Sequence, residues 1–460
     1  MVQLFSHDVE TSLDRQRTFF ATRVTRAVAF RLAQLKKLKQ AVKTHQAELS
    51  EAIQKDLGRP VFESHVFEIG VLLEIDYAIQ HVQRWAKPKR VFTSLIQFPS
   101  IGQVVPEPLG VVLIIGPWNY PVQLLLSPLV GAIAAGNCAV LKPSELAPYT
   151  SRAIATLIAA TFDPAYITVM EGGVDTSQAL LANPWDHIFF TGGAEIGKLV
   201  MQAAAQHLTP VTLELGGKSP CFVDANIDVK KAAQRIVWGK FVNAGQTCVA
   251  PDYLLVDRRV KPALLEAIRT TVHEFYGDDP ATSPDYGRMV NDRHFQRVAK
   301  LLSSGTTLIG GETNASDRYI APTVLDQVAF DEPVMQEEIF GPILPVLEYD
   351  TVDQAIAQVT QRTKPLALYV FSRDRAYQQH ILDCTSSGGV CINDVILHTA
   401  ESRLPFGGVG SSGMGSYHGK AGFDTFTHFK SVLHKFFRFD LDWRYAPYAK
   451  KLGFVQKLIK

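Results

Sequence analysis

Cys248 closes the run Asn243-Ala244-Gly245-Gln246-Thr247-Cys248, and Glu214 opens Glu214-Leu215-Gly216-Gly217-Lys218 a short way upstream. Together they place a sulfur nucleophile and a carboxylate base in one segment, each beside small residues that let backbone approach a ligand. A thiol near a base can take a carbonyl carbon covalently, and the carboxylate can then activate water to release the product. Most cysteines outside disulfides are small buried hydrophobes instead. Cys138, Cys221, Cys384 and Cys391 fit that description, lying in or beside short apolar runs such as Cys138-Ala139-Val140-Leu141. Cys248 differs, because its turn is polar, contains glycine and continues toward Pro251-Asp252. The apolar neighbours Leu213 and Leu215 predict a partly desolvated Glu214 carboxylate, which raises its pKa toward the range a general base needs.

The elements that must position this pair alternate between strand and helix. Residues from about 10 to 57 read as helical, with Val28, Leu32, Leu35, Leu38 and Val42 at three- and four-residue spacing and Gly58 with Pro60 as a stop. Gly110 to Gly116 encloses a continuous apolar run, the pattern of a strand buried on both faces. A helix over Leu124 to Ala135 leads to the strand Cys138 to Lys142, and the strand His187 to Thr191 meets Gly192-Gly193 and a helix beginning near Glu195. The pattern restarts after Glu214 with Cys221-Phe222-Val223, Tyr253 to Val256, Leu366 to Phe371 and Val390-Cys391-Ile392. Alternation of this kind implies α/β folding with a parallel, doubly wound sheet. It also suggests a second α/β domain starting near residue 212.

Gly192-Gly193-Ala194-Glu195-Ile196-Gly197-Lys198-Leu199 nearly spells a nucleotide-binding P-loop. Leu199 stands where Ser or Thr must hold Mg²⁺, so the metal ligand of a P-loop is missing and the pattern argues against nucleotide hydrolysis. The spacing is not that of the Rossmann glycine fingerprint either. A strand–Gly–helix junction still suits a pyrophosphate, because a helix N-terminus offers free N–H groups and a positive dipole end; an ordinary glycine turn is the competing reading. Lys142-Pro143-Ser144-Glu145 follows a strand, where both charged side chains could reach ribose hydroxyls.

Composition narrows the class. The 460 residues carry a net charge of +1, with 47% hydrophobic and 20% charged residues, so two or three globular domains are expected and no nucleic-acid footprint is visible. Five scattered cysteines without a CxxC pair argue for a reducing compartment rather than a disulfide framework. The N-terminus has neither a basic n-region nor an apolar h-region, and the stretch Val111 to Ala135 is interrupted by Pro117, Pro121 and Pro128. A cytoplasmic location is the expectation, and no secretory signal or membrane span is.

The chain resembles the aldehyde dehydrogenases over residues 10 to 433. The resemblance rests on Pro117-Trp118-Asn119-Tyr120-Pro121, Lys142-Pro143-Ser144-Glu145, Phe190-Thr191-Gly192, Leu213-Glu214-Leu215-Gly216-Gly217-Lys218, Gly245-Gln246-Thr247-Cys248, Glu337-Glu338-Ile339-Phe340-Gly341-Pro342 and Pro405-Phe406-Gly407-Gly408, in the family's order and spacing. The Trp-Asn-Tyr-Pro form and Cys248 to Tyr253 resemble the class 3 branch, which handles fatty, medium-chain and aromatic aldehydes. By resemblance, Cys248 attacks the aldehyde carbon, while Asn119 and the Cys248 N–H receive the oxyanion. Hydride then leaves to a nicotinamide, and Glu214 activates water against the thioester. From the residues alone, Asn119 also reads as a turn residue between Trp118 and Tyr120.

The same resemblance implies an NAD site, with NADP as an alternative. Lys142 and Glu145 would face the adenosine ribose, Gly192 and Gly197 would flank the pyrophosphate, and Glu338 and Phe340 would hold the nicotinamide end. Tyr120, Thr247 and Phe406 would line the aldehyde pocket, and no metal is implied. The expected architecture is a Rossmann-like cofactor domain (1–89 and 109–211), a catalytic domain (212–419) and a small β bridging element (90–108 and 420–433) that joins a homodimer. Gly193 departs from the family, where Ser or Asn is commoner. The tail, 434–460, departs as well, since Lys435, Arg438, Arg444, Lys450, Lys451, Lys457 and Lys460 are interleaved with Phe436, Phe437, Phe439, Trp443, Tyr445 and Tyr448. A membrane-surface contact, a cap over the substrate entrance and packing on a partner subunit all fit such a tail. Two other functions compete with hydrolytic oxidation: a CoA-acylating reaction, against which Glu214 argues, and a non-turning cofactor-binding scaffold.

Overall fold

Three runs of apolar residues, Val111–Ile115, Cys138–Lys142 and His187–Thr191, form the centre of the first sheet in the computed structural model, which describes residues 2–94, 97–438, 440 and 444–458. All are buried along their whole length, as continuous hydrophobic runs require when helices cover both faces of a sheet. The six-stranded order places Val111–Ile115 between Cys138–Lys142 and His187–Thr191. Ile167–Val169 lies beyond the former, and Val211–Glu214 and then Gly413–Met414 lie beyond the latter. The first five run parallel, and only Gly413–Met414 is antiparallel. The chain therefore winds outward to one side of Val111–Ile115 and returns on the other, and a crevice opens at the carboxyl ends of the strands where the winding reverses. The turn holding Asn119 leaves one of those ends, and Thr191-Gly192 leaves the neighbouring one.

A second sheet of seven strands has the order Thr306–Ile309, Thr323–Asp326, Ile343–Tyr349, Tyr253–Asp257, Pro220–Val223, Ala367–Phe371 and Gly389–Ile392. Only its first strand is antiparallel. Glu214 ends the last parallel strand of the first sheet, and Pro220 begins the second sheet soon after. Cys248 precedes Tyr253–Asp257, so both sit where the two sheets abut.

A third, antiparallel sheet joins Lys89–Val91, Ser100–Pro108 and Thr427–Lys435, with Thr427 opposite Pro108 and Lys435 opposite Ser100. The segment expected to bridge as 420–433 begins instead as the helix Gly419–Thr425, and its strand runs on to Lys435. The helix expected over 10 to 57 is two helices, Val2–Ala21 and Val28–Leu57. Arg23 adopts φ 64° between them, and the buried Arg31 guanidinium closes the turn by donating to the Thr25 carbonyl at 2.9 Å. Gly58, also left-handed at φ 58°, ends the second helix as its sequence predicts.

No helix among the described residues is long and apolar enough to cross a membrane. In the tail, Phe437 and Tyr448 are exposed and Leu452–Leu458 is helical. Phe439, Trp443 and Lys460 lie outside the described residues.

Candidate active site

The helix Val229–Phe241 delivers the chain into a tight turn before Cys248. Its N-terminus is capped by the Asp228 carboxylate, which accepts the Lys231 N–H. Beyond its end Asn243, Ala244 and Gly245 all have positive φ, 54°, 50° and 72°. A non-glycine residue there costs about 1–2 kcal/mol, so the surroundings must hold the turn in place. The side chain of Gln246 does so by donating to the Asn243 carbonyl at 3.0 Å and the Arg288 carbonyl at 2.9 Å, and by accepting the Val290 N–H at 2.9 Å. The Asn243 N–H donates to Glu63 Oε2 at 3.0 Å. At Gly245 a Cβ would overlap the Gly341 carbonyl, so only glycine allows this approach. Strain held in place by its surroundings is common beside reacting groups, and here it presents a half-buried Cys248.

Asn119 reaches this turn from the first sheet. It is buried, and its Nδ2 donates to the Gln246 carbonyl at 3.0 Å. Next to it, Tyr120 Oη and Thr247 Oγ1 share a 2.7 Å hydrogen bond. The Phe67 ring meets Tyr120 edge-on at 6.0 Å, and Trp238 lies 6.0 Å from Phe67. These rings lead to a cavity of about 380 Å³ lined by Phe62, Phe67, Trp238 and Phe275 together with the acidic Glu63, Glu274 and Asp285.

Glu214 is buried between the buried Leu213 and Leu215, and neither carboxylate oxygen has a hydrogen-bond partner. Burial holds its carboxyl well above the usual range. The Cys248 thiol is pushed up as well, first by burial and then by the Glu338 and Glu214 carboxylates. Two such groups cannot both carry negative charge cheaply, so the site favours one anion at a time.

The opposite side of the crevice has a different character. Lys142 is buried and its Nζ lies 2.6 Å from Glu145 Oε2. The helix Ala194–Ala205 starts at Gly193 with no side-chain cap, and nothing lies within 4 Å of where a Gly193 Cβ would be. Gly192 lies against the Phe190 ring. Gly197 is buried one turn into the helix, where a Cβ would strike the Leu215 side chain. Glu338 folds over Gly216 so closely that a Cβ there would overlap its carboxylate. Its Oε1 is sealed and unpartnered, and its carboxyl is pushed up to about 8, by burial first and then by Asp252. Phe340, at φ 48°, turns its ring edge-on to Trp118 at 5.3 Å.

A nicotinamide dinucleotide fits these features. The open helix start suits a pyrophosphate, and the unpartnered Glu338 Oε1 and buried Thr191 Oγ1 suit hydroxyls. Phe406 pairs by backbone with Tyr417, and its ring packs against Tyr417 at 5.7 Å and His418 at 5.6 Å. Phe406 is buried. Cys384 is exposed at a helix end and Cys391 half-buried, against the expectation that both are core, while Cys138 and Cys221 are buried. Sequence reasoning did not single out Arg59 and Glu68, a buried ion pair under the Asn119 turn, or Trp118 as the wall behind Phe340. Trp118 was visible in its turn motif; a lone arginine after Gly58 carries no pattern.

A family model described as the aldehyde dehydrogenase family matches residues 6–432. The 4,4'-diaponeurosporen-aldehyde dehydrogenase of Staphylococcus aureus (strain NCTC 8325 / PS 47) is 49% identical over 455 residues, covering 98% of this chain and 99% of its own. Aldehyde dehydrogenase family 3 member B3 of Mus musculus is 48% identical over 426 residues, covering 92% and 89%. Among solved structures, the substrate-bound state of Staphylococcus aureus AldH superposes with a TM-score of 0.96 at 48% identity, over 98% of this chain and 99% of that one.

Proposed function

The chain belongs to the aldehyde dehydrogenase family, and from that premise we propose how its own residues divide the work and which aldehydes it takes. As a member it is an enzyme that oxidises aldehydes with a nicotinamide cofactor. The observation that carries the assignment of roles is the hydrogen bond from Asn119 to the Cys248 loop, in a site where both Glu214 carboxylate oxygens are buried and unpartnered.

In this reading Cys248 Sγ bonds to the carbonyl carbon, and its proton leaves through Glu214 or water. The carbonyl oxygen becomes an anion, received by Asn119 Nδ2 and the Cys248 N–H. A donor in such a position is worth about 3–4 kcal/mol. The nicotinamide, when bound, supplies the hydride acceptor that turning an aldehyde into an acid requires. After oxidation the carbon stays on sulfur as a thioester, and Glu214 takes a proton from the water that attacks it. The acid departs and the thiol is restored. Burial, rather than a neighbouring charge, keeps Glu214 protonated at rest, so it acts as a base once its proton is lost to solvent. Glu338 would hold the nicotinamide ribose, Phe340 and Trp118 would wall the ring, and Gly192 and Gly193 would admit the pyrophosphate. Lys142 and Glu145 would meet the adenosine ribose. The Glu145 carboxylate favours a 2′-hydroxyl over a 2′-phosphate, so NAD is the preferred form.

The substrate is an elongated apolar aldehyde of the fatty or apocarotenoid kind. Phe67 lies 6.0 Å from both Tyr120 and Trp238, so a run of packed rings leads from the residues beside Cys248 to a cavity whose aromatic lining is mixed with Glu63, Glu274 and Asp285. The relative named for diaponeurosporen-aldehyde supports the same class. Among the described residues Thr427–Lys435 pairs on one side only, which supports a homodimer formed along its open edge. The exposed Phe437 and Tyr448 support contact between the basic tail and a membrane surface.

The test follows reduced nicotinamide by absorbance with NAD and straight-chain aldehydes, without CoA. A sustained rate whose kcat/KM climbs with chain length fits the proposal. A rate that appears only with CoA would replace hydrolysis with acyl transfer.

A further inference from the structure

Arg59 is fully buried, and its guanidinium reaches both arms of the site. Nε donates to Asn243 Oδ1 at 3.1 Å, Nη1 donates to Glu68 Oε1 at 2.6 Å, and Nη2 donates to the main-chain carbonyl of Asn119. The cation also lies over the Tyr120 ring, 4.5 Å from its centroid. Glu68, equally buried, accepts the N–H groups of Val122 at 3.0 Å and Gln123 at 2.8 Å with its other oxygen. One ion pair therefore grips the carbonyl of Asn119 and two amides just beyond it. The third arm of the guanidinium fixes Asn243, whose amide donates to the Asn119 carbonyl at 3.1 Å and the Gln246 carbonyl at 3.2 Å.

A buried Arg–Glu pair is a poor way to gain stability, because well-packed apolar residues often do as well or better. What it provides here is direction. The planar fork of arginine presents its donors at fixed angles, whereas an ammonium is a rotating point charge. The Asn119 turn and the Cys248 turn come from different sheets, and a small error in their relative placement can cost about 100-fold in rate.

Resting on the reading that Asn119 receives the oxyanion and Cys248 attacks, we propose that Arg59 is a positioning residue that sets the register between those two groups. It touches neither substrate nor cofactor and acts through Asn119. Losing it therefore slows the chemical step and leaves aldehyde and NAD binding in place.

The experiment is a double-substitution cycle of Arg59→Lys with Asn119→Ala, using decanal and NAD. Thermal melting and NAD binding verify each variant. Arg59→Lys alone is expected to lower kcat roughly 10- to 100-fold with KM for decanal and NAD affinity within about 2-fold. On the Asn119→Ala background the same change is expected to cost less than about 2-fold, because the group it positions is gone. Equal losses on both backgrounds would overturn the positioning role while leaving the mechanism standing. No loss from Arg59→Lys would do the same. An Asn119→Ala enzyme with full kcat would overturn the oxyanion reading itself, and the role of Arg59 with it. Should Arg59→Lys fail to fold, the charge-neutral pair Arg59→Met with Glu68→Leu replaces it in the same cycle.

Discussion

Asn119 Nδ2 donates to the carbonyl of Gln246 at 3.0 Å, which ties the carboxyl edge of the first sheet to the loop that carries Cys248. One amide hydrogen is committed to that contact, and the second remains for an incoming oxygen. Asn119→Ala is expected to lower kcat about 100- to 1,000-fold with little change in NAD affinity. Steady-state kinetics beside a nicotinamide-binding titration check this, and parallel loss of both would point to collapse of the turn instead.

Glu214 has no hydrogen-bond partner on either oxygen, and burial keeps its carboxyl well above the ordinary range. A base that is protonated at rest works better as pH rises. The hydrolytic rate should therefore climb through the pKa of Glu214 and level off above it. Glu214→Gln should remove that limb. It should also leave one rapid equivalent of reduced nicotinamide per site, followed by a steady rate at least about 100-fold slower. Stopped-flow absorbance across pH separates the phases.

Glu338 gives a stability prediction of opposite use. Burial, with Asp252 adding to it, raises its carboxyl from 4.5 to about 8. A raised folded pKa means the folded protein holds this proton more tightly, so its stabilising contribution is complete below about pH 4.5 and is lost as pH rises through about 8. Melting of the wild type should fall between pH 5 and 8.5 more steeply than that of Glu338→Gln, measured without cofactor. The same variant should bind NAD more weakly. Equal pH slopes would remove Glu338 as the source.

At Glu145, burial opposes ionisation, but the Lys142 hydrogen bond and the residue's own N–H outweigh it and hold the carboxyl below its usual range. If Glu145 meets the adenosine ribose as proposed, its negative charge opposes a 2′-phosphate. Glu145→Gln should raise kcat/KM for NADP relative to NAD by about 10-fold, and it frees Lys142 to pair with the phosphate. An unchanged ratio would show that the 2′-position is read elsewhere.

Much of this was legible in sequence because the same physical feature writes both pattern and structure. Val111–Ile115 and Cys138–Lys142 read as strands because burial on both faces demands uninterrupted apolar residues. The strand Ile343–Tyr349 escaped because Pro345 lies within it, and a proline inside a run normally argues against a ladder. The break between Val2–Ala21 and Val28–Leu57 escaped because helical periodicity continues past it. The turn is made by Arg23 in a left-handed conformation that no glycine announces.

In the site, Cys248 and Glu214 stood out because their types and small neighbours imply chemistry, whereas Asn119, between Trp118 and Tyr120, took its role only from the family resemblance. Gly197 was legible as a required glycine but not for its reason, since only the packed structure shows Leu215 filling its space. Arg59 and Glu68 were invisible. Their partners are main-chain groups and an asparagine brought together from distant parts of the chain, and no local spacing records that.

The most direct measurement of the central claim is peptide mass analysis of the Glu214→Gln protein, quenched in acid after one turnover with decanal and NAD. The account predicts one decanoyl group per chain, on the peptide containing Cys248, absent when NAD is omitted and absent from Cys248→Ser. A reduced nicotinamide signal with no acyl group on that peptide would contradict a thioester at Cys248.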